Sequence, residues 1–209
     1  TEKIKFGPFQ GQMFVGDQAL SNIHRVDTEM VSGREQGVVL PFADGLKSGA
    51  MRLKFDPNDS SLWIGQTGRG WKARGGSPFA LQRINFDPKV AVNAMQTVRV
   101  TKNGFDLHFT QAQSDVDHFG SIACTSWYYS NSSAYGSKEL GTRQEKILKA
   151  AWNPAKTVCS VTLENFHVSQ GDSSDSSRVY MIDLGQTNFA KSTDPFFAKA
   201  YYTLHSIPN

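Results

Sequence analysis

The chain has 209 residues and a formal net charge of +3, a length that allows one or two domains with a substantial core. A charge this close to neutral gives no basis for binding nucleic acid or an anionic membrane surface. Apolar runs stay well short of the roughly 20 residues of a membrane-spanning helix, so we expect no span. The polar start Thr1-Glu2-Lys3 also lacks the pattern of a signal peptide.

The first half of the chain is a series of short apolar runs separated by turns, without helical periodicity. Residues 50–55 alternate between apolar and polar side chains, which places one face of this strand on a core. Strands are predicted at 12–15, 23–26, 37–42, 50–55, 61–65 and 79–84. The first two and the last two of these form hairpins.

The two hairpins carry a repeated motif. Phe14-Val15-Gly16-Asp17 and Trp63-Ile64-Gly65-Gln66 lie 49 residues apart, and Arg25 and Arg83 follow at matching places. That spacing is the period of a β-propeller blade. A propeller typically needs four to eight blades, so two blades leave flanks exposed. We expect missing blades, a partner chain or further copies of this chain to cover them.

The second half predicts an antiparallel sandwich. Asn103-Gly104 is a strong hairpin signal between alternating runs. Further strands are predicted at 122–129, 157–164, 178–184 and 199–204, whereas 137–151 is predicted as a loop. The fold class is therefore all-β: two blades of a β-propeller over residues 1–93, followed by an immunoglobulin-like β-sandwich over residues 94–209.

The second hairpin is nine residues longer than the first, and the extra residues fall between Thr67 and Ser77. Insertions in one repeat often lie on the binding face of an array. The candidate ligand-binding residues of this loop are Thr67, Arg69, Trp71, Lys72 and Arg74. A Trp flanked by guanidinium groups can stack on a sugar ring or bind an acidic one. Alternatively, the glycines fold the loop back and the Trp fills a structural junction.

The two cysteines, Cys124 and Cys159, lie in predicted strands of the second half. They could form a disulfide in an oxidising compartment. They could equally be two buried, reduced thiols that behave as small hydrophobic side chains. The spacing alone does not decide between the two, and both interpretations stay open.

Other side chains have weaker functional signals. Asp115, Asp117 and His118 could ligate a metal, but this pattern is common on solvated loops. The aromatic run at 127–129, with Tyr135, offers either a ring platform for carbohydrate or an ordinary sandwich edge. The remaining histidines lie in strands without partnered carboxylates nearby in sequence and are interpreted as structural or surface residues: His24, His108, His167 and His205.

Several of these runs together resemble a bacterial protein family. Residues 11–17, 42–49 and 53–57, and above all Gly68–Gly76 with Leu81-Gln82-Arg83, are similar to exported proteins with a six-bladed propeller like that of the soluble quinoprotein sugar dehydrogenases. Residues 103–110 and 200–204 resemble the β-sandwich that follows the propeller in those proteins. The resemblance implies that this chain is the C-terminal part of a longer periplasmic or extracellular protein.

The residues that form the family's cofactor site are mostly not matched in this chain. In sugar quinoproteins, basic residues hold the carboxylates of pyrroloquinoline quinone, and aligning the strands puts Ala19, Gly49 and Met51 near those places. Only Thr67 matches a residue of the pocket. The chain also lacks the Cys-x-x-Cys-His motif of a c-type haem. We therefore predict no catalytic residue and no cofactor in this chain, with the quinone and calcium belonging to the complete parent protein.

Two functions follow from these observations. In the first, the chain is a non-catalytic portion of a quinoprotein-like parent that oxidises a sugar or alcohol and passes electrons to a cytochrome c. In the second, it is a scaffold module that has lost the cofactor site and binds polysaccharide or another protein. A variant of the second is a structural subunit of an extracellular assembly.

Overall fold

The computed structural model describes residues 6–113, 122–130, 133, 136–168, 177–185 and 198–209. A short 3₁₀ turn, Gly7–Phe9, precedes the first strand. The strands are β1 (Met13–Asp17), β2 (Asn22–Val31), β3 (Arg34–Ala43), β4 (Ala50–Phe55), β5 (Leu62–Thr67), β6 (Phe79–Ile84), β7 (Met95–Thr101), β8 (Gly104–Phe109), β9 (Ala123–Tyr128), β10 (Leu140–Glu145), β11 (Ile147–Trp152), β12 (Val158–Leu163), β13 (Arg178–Asp183) and β14 (Lys199–Leu204). The all-β prediction is therefore confirmed.

The strands form three antiparallel sheets, and none of them closes on itself within the described residues. The largest has the order β1-β2-β3-β14-β13-β9-β10. A four-stranded sheet has the order β11-β12-β8-β7, and a three-stranded sheet has the order β4-β5-β6. No helix in the described part of the chain has the length and hydropathy to cross a bilayer.

Both predicted hairpins of the first half are present. In the first hairpin, Met13–Val26, Phe14 is opposite Arg25 and Gly16 is opposite Ile23. In the second hairpin, Leu62–Ile84, Trp63 is opposite Arg83 and Gly65 is opposite Leu81. The repeated motif therefore has the same register in both copies.

The prediction of a loop at 137–151 is wrong. This segment contains β10 and the first five residues of β11, each of which is an edge strand of its sheet. Most side chains of β11 are exposed or half-buried. Edge strands with solvent on one side and at one edge need little apolar alternation, so their sequences lack the usual strand pattern.

The described residues divide into two compact units that are not continuous in sequence. The first unit consists of the chain up to Val26 and Leu40–Val92, and the second consists of Asp27–Val39 and the chain from Asn93 onward. The sequence, in contrast, predicts two continuous domains with a boundary at 93. The strands β2 and β3 each contribute residues to both units.

Buried and half-buried polar contacts hold the 27–39 segment in the second unit. The hydroxyl of Tyr202 donates to Oε1 of Glu29 at 2.7 Å, and the amide of Gln36 donates to the same hydroxyl at 2.9 Å. Arg99 pairs with the carboxylate of Asp27 at 2.6 Å. Charged residues in a strand are stable here because each has a partner from elsewhere in the unit.

Aromatic rings fill the core of the first unit. Phe14 of β1 meets Phe42 of β3 at 4.9 Å and Phe55 of β4 at 5.2 Å between ring centroids, both edge to face. The ring of Phe6 is 5.1 Å from that of Phe55. These contacts pack the first hairpin on the three-stranded sheet, around Ile23, Leu46, Ala50, Leu62 and Ile64.

Each hairpin has two chemically distinct faces. We call the side with the motif glycine the glycine face, which has Phe14, Gly16, Ile23 and Arg25 in the first hairpin and Trp63, Gly65, Leu81 and Arg83 in the second. The opposite side is the aliphatic face, with Met13, Val15, His24 and Val26 in the first hairpin and Leu62, Ile64, Gln82 and Ile84 in the second. In the first unit, the glycine face of the first hairpin contacts the aliphatic face of the second.

In the second unit, two sheets pack face to face. Phe105 of β8 lies 5.4 Å from the ring of Tyr180 and 5.1 Å from that of Tyr202, which belong to the other sheet. All three side chains are fully buried. The arrangement is a sandwich of antiparallel sheets around an aromatic centre.

Candidate functional site

The long loop of the second hairpin is fixed at its base by backbone hydrogen bonds. The N–H of Arg74 donates to the carbonyl of Ala19 at 2.9 Å, and the N–H of Ser77 donates to the carbonyl of Lys47 at 3.0 Å. The hydroxyl of Ser48 donates to the carbonyl of Ser77 at 2.7 Å. The loop therefore rests on two other segments of the first unit.

Gly75 explains how closely the loop approaches its support. Its N–H donates to the hydroxyl of Ser21 at 3.0 Å. A Cβ at this position would lie 2.2 Å from the carbonyl oxygen of Leu46, which is closer than any real contact. Only glycine fits here, because any side chain would push the loop away from the sheet.

The tip of the loop, formed by Arg69, Trp71 and Lys72, is exposed. Trp71 has 68% of its surface accessible. Among the described residues, neither the guanidinium of Arg69 nor the ammonium of Lys72 has an ion-pair partner. Within the described part of the chain, Trp71 does not pack into a junction between other residues. A ring and two cations are thus presented to solvent on a loop whose base is held.

Thr67 and Arg74, two further residues predicted for ligand binding, have structural partners. The hydroxyl of Thr67 accepts a hydrogen bond from the N–H of Arg69 at 3.0 Å and closes the first turn of the loop. The guanidinium of Arg74 pairs with the carboxylate of Asp44. The candidate site therefore reduces to the exposed residues Arg69, Trp71 and Lys72, whereas Thr67 and Arg74 have partners within the first unit.

The residues predicted near the cation positions of a quinone pocket do not supply cations for pyrroloquinoline quinone. Gly49, which the strand alignment puts near an arginine position of the resembled family, is closely approached by backbone: a Cβ there would lie 2.4 Å from the carbonyl oxygen of Gln18 and 2.8 Å from that of Thr67. No longer side chain can be placed at Gly49 without moving backbone. The one matching pocket residue, Thr67, uses its hydroxyl within its own turn. A cofactor with several carboxylates needs fixed cations, and these positions supply none.

Both cysteines are free thiols and both are buried. Burial raises the pKa of Cys124 to about 12 and that of Cys159 to about 11. The thiolate is the nucleophilic form, so neither group is activated near neutral pH. Cys124 lies on β9 and Cys159 on β12, which belong to different sheets of the sandwich.

A buried polar cluster in the second unit was not predicted from the sequence. Glu145 accepts hydrogen bonds from the hydroxyl of Ser126 and, at 2.7 Å, from Nε of Arg143. Nε of Arg178 donates to the hydroxyl of Ser126 at 2.7 Å and lies 3.9 Å from the carboxylate of Glu145. The sequence signal that could have shown part of this cluster is the spacing of Arg143 and Glu145, because residues two apart on a strand lie on the same face. Because every charge has a partner, the cluster is a structural network in which two cations share one carboxylate.

Metal ligation and the histidines give no further site. The described ranges contain no group of three His, Cys, Asp or Glu side chains placed to hold a metal ion. The predicted candidates Asp115, Asp117 and His118, and also Tyr135, lie outside the described residues. His24 and His108 are half-buried, and burial lowers the pKa of each.

The aromatic run of β9 is divided between core and solvent. Trp127 is buried, whereas Tyr129, just after the strand, is exposed.

A comparison of the chain with protein-family models, with curated proteins and with solved structures finds no match. The loop and its chemistry are therefore the features that point to a function.

Proposed function

We propose that the first unit is a non-catalytic binding module and that the tip of its long loop recognises an acidic carbohydrate. The observation that carries this proposal is the exposed ring of Trp71, close in sequence to the exposed cations of Arg69 and Lys72, which have no ion-pair partner among the described residues. Indole faces stack on sugar rings, and guanidinium groups bind carboxylates in a planar, bidentate manner. A polysaccharide of uronic acids offers both features in each repeating unit.

The fixed base of the loop supports this function. A binding loop that is already ordered loses less conformational entropy when it meets its ligand. The hydrogen bonds of Arg74 and Gly75 to the neighbouring segments supply that order. An exposed Trp on such a loop costs solubility without adding to the core, which favours a role in recognition over a role in packing.

The test is affinity electrophoresis of the chain in gels that contain alginate, a polyuronate, or dextran, a neutral glucan. We expect alginate to retard the wild type and dextran to have little effect. Trp71→Ala should abolish the retardation, Trp71→Phe should keep part of it, and Arg69→Gln should weaken it about threefold or more. Since Trp71 is mostly exposed, the variants should remain folded.

Tyr129→Ala supplies the matched control, because it removes an exposed ring from the other unit. Its retardation should equal that of the wild type. If Tyr129→Ala abolished retardation while Trp71→Ala did not, the site would be the aromatic strand and the loop proposal would be wrong. Equal retardation by dextran would contradict the proposal that the loop prefers an acidic carbohydrate.

We further infer that the first hairpin and the three-stranded sheet are successive blades, and that the second unit is the immunoglobulin-like sandwich expected from the resemblance. The shared register of the two hairpins supports this inference. Oxidation of a sugar or alcohol and electron transfer to a cytochrome would belong to a larger periplasmic or extracellular parent. Adding pyrroloquinoline quinone with calcium to this chain should leave the quinone absorbance unchanged, and a saturable change would contradict the assignment.

A further inference from the structure

Each hairpin of the first unit has one buried face and one exposed face. The first hairpin exposes its aliphatic face, and the second hairpin exposes its glycine face. On the glycine face, Ile23 of the first hairpin is 0% exposed, whereas the matching Leu81 of the second is 68% exposed. On the aliphatic face, Ile64 is 0% exposed, whereas the matching Val15 is 43% exposed. The chain therefore exposes both halves of an interface that it already forms internally.

The two motif glycines show what the open glycine face is shaped to receive. A Cβ at Gly16 would lie 2.8 Å from both Cβ and the carbonyl oxygen of Ala50, because β4 crosses directly over it. At Gly65 the nearest atom is Cβ of Arg52, a neighbour in the same sheet, at 3.6 Å. Glycine in a strand interior is usually retained where another backbone approaches closely. Gly65 is the matching strand glycine, but no described strand of another sheet lies over it.

The ends of this two-sheet stack are not protected in the usual way. Soluble arrays of repeats end in units with a polar outer face. Here the open glycine face presents Leu81 and Phe79, the latter 76% exposed, and the open aliphatic face presents Met13, 60% exposed. Two apolar ends of this kind predict association.

We propose that a second copy of this chain docks the aliphatic face of its first hairpin on the glycine face of the second hairpin. Met13 and Val15 of the incoming copy would then take the places that Leu62 and Ile64 hold in the internal interface. Charge is complementary as well. Asp17 lies on the incoming face, and the exposed Arg52 and Lys54 of β4 flank the receiving one.

This contact joins two different surfaces, so it is heterologous and each copy keeps one free face of each kind. Such an interface either closes into a ring or continues as a filament. The incoming hairpin has no counterpart of β4, since β1 is the edge strand of its sheet. The association should therefore be weaker than the internal packing and should depend on protein concentration.

The experiment is sedimentation velocity of the purified chain over a range of concentrations, with one blocking variant for each face. Gly65→Val fills the receiving face, and its added Cβ meets only an ordinary contact within its own sheet. Val15→Lys places a cation opposite Arg52 and Lys54. Val90→Lys is the control, an exposed aliphatic of the same unit outside both faces. Circular dichroism verifies that each variant is folded.

We expect the wild type and Val90→Lys to associate as concentration rises, and each blocking variant to weaken association at least about tenfold. Mixing Gly65→Val with Val15→Lys should restore a 1:1 dimer, because each variant retains the face that the other has lost. Leu81→Glu replaces Gly65→Val if that variant does not fold.

A wild type that stays monomeric at its highest soluble concentration would overturn the proposal and assign the open faces to a different polypeptide. Unchanged association in both blocking variants, or a mixture that stays monomeric, would also overturn it. The variants leave Trp71 intact, so alginate binding separates this proposal from the proposed function.

Discussion

The two hairpins of the first unit have matching residues in matching register, yet positions that are buried in one are exposed in the other. Ile23 and Arg25 are covered in the first hairpin, whereas Leu81 and Arg83 are exposed in the second. Their sequences have similar strand propensity, so propensity cannot account for the difference. What decides it is whether another sheet lies across the face.

This difference has an energetic consequence. The contribution of a side chain to folding depends on the surface it removes from water and on the contacts it makes. The same substitution in the two hairpins should therefore have unequal effects on the free energy of unfolding. Each pair of variants below tests that inequality, with unfolding measured at low protein concentration.

The largest difference is expected for the motif glycines. Gly16→Val forces a side chain against β4 and should destabilise the chain by at least about 3 kcal/mol or prevent folding. Gly65→Val enters open space in a strand that favours β-branched residues, so its effect should be within about 0.5 kcal/mol. Urea titrations measure both values, and equal losses would contradict the comparison.

Truncation of the opposing aliphatic residues should give the next largest difference. Ile23→Ala removes a fully buried side chain and should cost about 2 to 3 kcal/mol. Leu81→Ala should cost less than about 0.5 kcal/mol, because its side chain is already mostly in water. Thermal unfolding by circular dichroism is sufficient to separate these outcomes. A loss for Leu81→Ala as large as that for Ile23→Ala would show that the face is covered within one chain.

The paired arginines should differ by a smaller amount. Arg25 is buried, lies 3.9 Å over the ring of Phe9 and donates to Gln12. Arg25→Ala should cost about 1 to 2 kcal/mol, because it removes the contact with the ring of Phe9 and the hydrogen bond to Gln12. Arg83 forms a surface ion pair with Asp59, so Arg83→Ala should cost well under about 1 kcal/mol in the same assay.

The smallest effect concerns pH. Burial lowers the pKa of His24 below its ordinary value of 6.5, despite the opposing charge of Asp17. The unfolded chain then takes up the proton more readily, so stability is full above the ordinary pKa and falls as pH drops below it. His24→Gln, which introduces the residue found at the matching position 82, should reduce this loss. A denaturation midpoint equally pH-dependent in both proteins would contradict the assignment, although His108 contributes in the same direction to both.

The sequence was sufficient to predict elements whose signals are local. The repeated motif identified both hairpins of the first unit, and Asn103-Gly104 identified the hairpin of β7 and β8. The insertion between Thr67 and Ser77 identified the loop that presents Trp71. These signals depend on turn chemistry and period-two alternation, which a few neighbouring residues specify.

Elements that depend on distant partners were missed. The strand predicted at 23–26 continues to Val31 through Asp27 and Glu29, whose partners Arg99 and Tyr202 lie far along the chain. Glu145 belongs to a strand that lacks apolar alternation, and its partners come from three strands. Local patterns can show the pair of Arg143 and Glu145, but they cannot show the partners Ser126 and Arg178, which are distant in sequence.

The two buried thiols make this chain convenient for site-selective labelling. The sequence contains two cysteines, and burial raises the pKa of each well above neutrality. A cysteine introduced at an exposed position outside the proposed site and the docking faces, such as Lys102, would then be the thiol that reacts with a maleimide dye near neutral pH. Fluorophores attached there would report self-association in solution without removal of either native cysteine and without a change to the loop tip.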